Sequence, residues 1–184
     1  MNGILLGIAY LAAVNPLRTR LGLPEDEHGR GRMTVLVTGA LVASTGVLAI
    51  AGWSGPTLDA LEVSPETFRL AAGIVIAVAA IITLARPRPP EEPEAGGLLA
   101  GVWPVAYPRL LSVEVVALAL TTGTKEGVAA TLVAAGIAFG SAVALGILRR
   151  TTFTDRVLLN LGRLVTVLLV IVAVFLMVDG IRDV

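Results

Sequence analysis

Two stretches decide how this chain folds: Gly3–Leu23, GILLGIAYLAAVNPLRTRLGL, and Leu98–Leu120, LLAGVWPVAYPRLLSVEVVALAL. Both are apolar and about the length of a bilayer crossing, and both are broken near the middle by proline. In the first, Pro16 follows Asn15; in the second, Pro104 and Pro108 precede Arg109. Proline removes a backbone donor and collides with the carbonyl four residues earlier, so a helix opens there. Within lipid, opened backbone must be satisfied by protein or by a wetted cavity. Interrupted apolar segments at matching places in two halves are the sequence pointer to the midplane site of a secondary transporter.

Composition places the rest of the chain in the same environment. Of 184 residues 55% are hydrophobic and 15% charged, with a mean hydropathy of +0.86, which a water-soluble domain of this length could not hide. The formal net charge is zero, so no nucleic-acid partner is expected. Cysteine is absent, which excludes disulfides, thiol relays and thiolate metal sites. The opening MNGILLGIAYLAA lacks the basic start of a signal peptide and is expected to be a retained first span with its N-terminus outside.

Six spans are expected, at 2–23, 34–53, 67–85, 98–120, 127–148 and 157–180, giving an all-α polytopic membrane protein. The third follows Ser64-Pro65-Glu66, a helix start with proline in its first turn. The Pro/Glu-rich linker RPRPPEEPEAGG, 86–97, divides the chain into a first half, 1–85, and a second, 98–184. Arg18, Arg20, Arg30, Arg32, Arg86, Arg88, Arg149, Arg150 and Arg156 fall on the connections between spans 1–2, 3–4 and 5–6. An arginine excess marks the cytoplasmic side, so both termini are expected outside. Laying Arg69-Leu70 over Arg163-Leu164 also brings Pro16 near Pro108, as two repeats would. Three is an odd number of spans, so such repeats would be inverted in the membrane.

The candidate substrate-binding residues cluster at the two breaks. Asn15 and Pro16 either form a kink bonded to a neighbouring helix or line a solute path. Arg109 and Glu114 each cost about 2.5–3.5 kcal/mol at bilayer depth unless paired or wetted. They are an architectural ion pair, or an anion receptor with a coupling carboxylate, or Arg109 lies nearer the surface at a shifted span boundary. Pro104 and Pro108 would open the backbone around them. Arg18 is a cytoplasmic anchor or a second guanidinium facing the same cavity; arginine's planar fork suits carboxylate or phosphate. Arg69 and Arg163 are expected to snorkel, and Asp179-Gly180 to stop the last helix. Gly136 and Gly140 form a GxxxG, continued by Ala142 and Gly146, for close packing within the chain or against a second copy. His28 is expected to be solvated. With no phosphate loop, GxSxG, HExxH or haem spacing, no enzymatic activity, cofactor or metal is expected.

The ordered set of Asn15-Pro16, Phe68-Arg69-Leu70-Ala71-Ala72-Gly73-Ile74, Pro104-Val105-Ala106-Tyr107-Pro108 and Asp179-Gly180-Ile181 resembles the MarC family, within the LysE-type transporter superfamily. The resemblance spans nearly the whole chain. It implies a six-helix bacterial inner-membrane protein with an inverted three-plus-three repeat, related to exporters of amino acids and other small solutes. The chain departs from the family at Arg109-Leu110-Leu111-Ser112-Val113-Glu114, where a glycine-rich stretch is usual. The expectation is an exporter of a small polar or anionic solute, working in a lipid bilayer; the alternative is a non-transporting scaffold or accessory subunit.

Overall fold

A computed structural model describes residues 3–17, 29–85, 99, 101–147 and 155–182. The linker 86–97, Arg18, His28 and the 149–150 arginines lie outside the described residues. Among the described residues, seven α-helices are present: α1 (Gly3–Val14), α2 (Gly29–Gly52), α3 (Ser54–Ala60), α4 (Pro65–Ala85), α5 (Val113–Lys125), α6 (Val128–Ile147) and α7 (Asp155–Arg182). A broken helical segment, Gly101–Leu110, precedes α5.

Among the described residues, four stretches are long and apolar enough to cross a membrane: Gly31–Gly52, Pro65–Ala85, Val128–Ile147 and Val157–Arg182, with mean hydropathies of 2.0 to 2.8. The broken segment and α5 together qualify as one stretch bent by 66°, and α1 is a shorter apolar helix. Burial is arranged for lipid. Small side chains such as Ala9, Ala43, Ala80, Ala119, Ala138 and Ala173 fill the interior, while Leu41, Ile81, Leu164 and Ile171 point outward. In water so much exposed apolar surface would drive association. In lipid it is ordinary, and small residues inside let backbones approach. The chain is an all-α, polytopic membrane protein.

Local sequence explains where the helices start and break. Ser64 caps α4, its Oγ accepting from Thr67 N at 3.2 Å, with Pro65 and Glu66 in the first turn as expected. Ser112 caps α5, accepting from Val115 N at 3.4 Å. The broken segment leaves helical geometry at Trp103 (φ −130°, ψ 123°) and Tyr107 (φ −127°, ψ 133°). Each precedes a proline, whose Cδ pushes the preceding residue out of the α region. At Lys125 α5 ends, and the turn through Glu126 and Gly127 needs glycine at φ 84°.

Glycine sets the closest helix contacts. On α4, a Cβ at Gly73 would lie 2.8 Å from Ala173 O; on α7, one at Gly180 would lie 2.9 Å from Leu70 N and 3.0 Å from Glu66 O. These contacts run in opposite order along the two helices, so α4 and α7 are antiparallel and touch backbone to backbone. A second set joins α2 to the fourth stretch. Gly39 faces Val105 and Gly101 O, Gly46 faces Leu111, and Gly123 faces Ala51 O and Ser54 Oγ. These run in the same order, so α2 and α5 are parallel. The helix α6 packs on α1 and α2.

One expectation is corrected and a second is narrowed to its alternative between chains. Gly180 does not stop the last helix: α7 continues through it to Arg182, and its missing side chain makes room for α4. Gly136 and Gly140 take no part in packing within the described chain. Both are exposed, and a Cβ added at either would meet nothing within 4 Å, whereas Ala142 and Gly146 are buried on another face of α6.

Gly180→Ala is expected to lower the stability of the detergent-solubilised protein by about 1–3 kcal/mol, because the methyl meets backbone that cannot turn aside. Gly136→Ala is expected to be neutral or to add up to about 1 kcal/mol through helix propensity. Equal effects in denaturant titrations would contradict this packing.

Candidate functional site

Among the described residues, polar clusters tie helices of the apolar bundle together at three places. The first ends α1. Asn15 adopts φ 43°, the left-handed region that asparagine tolerates better than most residues. Its backbone N still donates to Leu11 O at 3.0 Å, closing the last turn before Pro16. The side chain is 6% exposed, and its Nδ2 donates to Gly162 O at 2.9 Å and Thr166 Oγ1 at 3.2 Å, both on α7. Thr166 Oγ1 in turn donates to Gly162 O at 2.9 Å. The Asn15 Nδ2 thus has two acceptors, both on α7.

The second cluster holds only hydroxyls. Tyr10 on α1 is fully buried, and its OH lies 3.0 Å from Thr122 Oγ1 on α5. Thr131 Oγ1 on α6, also fully buried, donates to the same atom at 3.0 Å. Thr122 Oγ1 donates its own hydrogen to Leu118 O at 2.7 Å. A hydroxyl has one hydrogen and two lone pairs. With its hydrogen committed to Leu118, Thr122 must accept from both Tyr10 and Thr131, and it is saturated. One atom thus ties three helices without any formal charge.

The third cluster is ionic. Asp179 Oδ2 on α7 accepts from Arg69 Nη1 on α4 at 2.9 Å and from Lys125 Nζ on α5 at 2.7 Å. Arg69 is 5% exposed, while Asp179 and Lys125 are partly open. The expected snorkelling of Arg69 is therefore corrected: its head is turned inward onto a carboxylate. A guanidinium buried this far would carry a heavy desolvation cost without that partner.

The residues expected at the two proline breaks are distributed differently. Asn15 and buried Pro16 face α7 at the end of α1, and Arg18 lies outside the described residues. Pro104, Pro108 and half-buried Arg109 belong to the broken segment. That segment docks on α2 through Gly101, Val105, Ala106 and Leu110, all buried. Its opposite side carries exposed Val102, Trp103, Tyr107 and Pro108, with the Trp103 and Tyr107 ring centroids 5.5 Å apart. Glu114 lies in the first turn of α5, behind the Ser112 cap, where a carboxylate meets the positive end of the helix dipole. The helix α1 meets α5, which continues the second interrupted stretch, and Tyr10 reaches Thr122 just beyond the end of that stretch.

Sequence reasoning missed Tyr10, Thr122, Thr131 and the Arg69–Asp179–Lys125 bridge. A signal for the bridge existed: Arg69 near the start of one span and Asp179 near the end of another are opposite charges at corresponding places. No such signal marks the hydroxyl cluster, because threonine is common in membrane helices. Among the described residues, no group of three His, Cys, Asp or Glu side chains converges to hold a metal. Comparison with protein-family models, curated proteins and solved structures found no match to this chain.

Thr122→Val leaves two buried hydroxyls without their common acceptor and is expected to cost about 1–3 kcal/mol. Tyr10→Phe removes one donor and is expected to cost about 0.6 kcal/mol, the average for an interhelical bond in a membrane protein. The double variant should cost less than the sum, because both substitutions delete the same bond. Additive losses in a thermal-unfolding cycle would show that Thr122 is not the shared node.

Proposed function

We propose that this protein is a secondary transporter of the MarC type. It exports a small polar or anionic solute across a bacterial inner membrane, with six spans in two inverted three-helix halves. The observation that carries this is the opening of the backbone at proline in two apolar stretches, at Asn15-Pro16 and at Trp103-Pro104 and Tyr107-Pro108. In a bilayer such openings persist where protein or a wetted path receives the backbone.

The pattern of helix contacts supports the repeat. Exchange α1 with α5 and its broken segment, α2 with α6, and α4 with α7. The α1–α6 contact then becomes α2–α5, α1–α7 becomes α4–α5, and α1–α5, α2–α6 and α4–α7 map onto themselves; all of these contacts occur. In this reading the arginine-rich connections are cytoplasmic and both termini lie outside. Asn15 and Pro16 line one side of the solute path, and Pro104, Pro108, Arg109 and Glu114 the other. Arg109 receives the anionic group and Glu114 exchanges a coupling proton.

One observation favours a second reading, a non-transporting scaffold or accessory subunit. The side-chain amide of Asn15 already has two acceptors on α7, as in a purely architectural kink. The exposed Gly136/Gly140 face would then receive a partner helix or a second copy.

A thermal-shift screen against amino acids, small organic acids, phosphate and sulfate separates the two. A solute at about 100 times its Kd stabilises the folded state by about 2.7 kcal/mol. The transporter reading expects such a shift in the native protein and its loss in Arg109→Gln, with that variant still folded and inserted. A solute response unchanged in Arg109→Gln would remove Arg109 from the site, and no response to any solute would favour the scaffold.

A further inference from the structure

The contact between α4 and α7 is the most extensive between any two described helices and sets this pair apart as one body, with the remaining helices as the other. In one, α4 and α7 lie close together at Gly73, which faces Met177 Cγ and Ala173 O, and at Gly180, which faces Leu70 N and Glu66 O. In the other, α2, the broken segment and α5 approach closely at Gly39, against the Val105 side chain and Gly101 O, at Gly46, against the Leu111 side chain, and at Gly123, against Ala51 O, and α6 packs on α2. The α4/α7 pair meets the remainder chiefly where α5 touches α4 and where α1 touches α7. Polar ties reach α7 from both α5 and α1. At one end Lys125 Nζ reaches Asp179 Oδ2 at 2.7 Å. Deeper in the bundle, Asn15 Nδ2 reaches Gly162 O and Thr166 Oγ1.

We propose that the α4/α7 pair moves as one panel against the rest of the bundle, with Lys125–Asp179 as the latch that closes the end of the solute path where α5 and α7 terminate. The proposal deepens the transporter reading and rests on it. Arg69 has a supporting role. It stands on the same panel as Asp179 and holds the carboxylate in place whether or not Lys125 is bound, so the latch can part without dismantling the panel. Lys125 is 31% exposed, and an ion pair open to water is weak enough to break in a working cycle. Between the bodies the polar ties are this half-exposed ion pair at one end and the buried Asn15 bonds further in, which fits a rocking boundary that parts at the Lys125 end and stays tied at Asn15. The short turn through Gly127 and the break before Ser112 give α5 freedom at both of its ends.

The chain has no cysteine, so one introduced thiol reports one position. Leu118 is fully buried on α5, two turns below Lys125 on the same face. Ala43 is fully buried on α2 between Gly39 and Gly46, inside the other body. The experiment compares Lys125→Gln with the native residue, in nanodiscs where both membrane faces meet the reagent, using a charged maleimide against Leu118→Cys or Ala43→Cys. Lys125→Gln leaves Arg69–Asp179 intact, so the panel itself stays assembled. Labelling at Leu118→Cys is expected to quicken about fivefold in Lys125→Gln, as for loss of one half-exposed ion pair holding a local opening. Labelling at Ala43→Cys is expected to stay unchanged. No change at either position overturns the latch, and equal acceleration at both overturns it in favour of general loosening. Neither result depends on a solute, so the latch can fail while a ligand found by thermal shift keeps the transporter reading, and the reverse.

Discussion

Lipid offers no hydrogen bonds, and that constraint governs every irregular feature of this chain. Where α1 opens at Asn15, the side chain of Asn15 anchors the opening to α7. Where the fourth stretch opens before Pro104 and Pro108, the segment lies against α2, its buried side pressed onto Gly39. Breaks of this kind stand only where a neighbouring helix or a wetted path receives them. The close glycine contacts follow from the same constraint, since apolar side chains gain little from leaving lipid for one another. Helix adhesion must then come from backbone proximity and from a few polar ties.

Much of the fold was legible in the sequence because hydropathy and proline report on single segments. The apolar stretches at 34–53, 67–85, 127–148 and 157–180 correspond to α2, α4, α6 and α7, with ends shifted by a few residues. The helix start at Ser64-Pro65-Glu66 was legible because capping is local chemistry. The division of the fourth stretch at Ser112 was not. Serine among apolar residues looks like an ordinary span position until the preceding turn has left helical geometry. Gly180 was misjudged for a related reason: a glycine near a helix end suits both a stop and a close approach, and only the position of α4 separates them.

Less of the polar interior was legible. Asn15 announces itself because an amide before proline is conspicuous in an apolar run. Thr122 does not, since its importance lies in accepting from two other helices at once. Arg69 and Asp179 were each visible as charges near a span end, but explaining them one at a time as anchor and helix stop concealed that they face each other. The GxxxG at Gly136 and Gly140 shows the converse: a motif defined by spacing along one helix does not say which face the fold will bury.

The polar ties join residues far apart in the chain, by 112 positions for Tyr10 and Thr122, 110 for Arg69 and Asp179, and 151 for Asn15 and Thr166. This bears on biosynthesis. At translation rates of about 5–20 residues per second, α1 waits in the membrane for roughly 7–30 seconds before α7 emerges to receive Asn15. Until then Asn15 and Arg69 lack their α7 partners and depend on water, headgroups or the insertion machinery for hydrogen bonds. A nascent chain halted before α7 would carry both polar groups into the bilayer without those partners, a mark by which membrane quality control can tell an unfinished copy from a complete one.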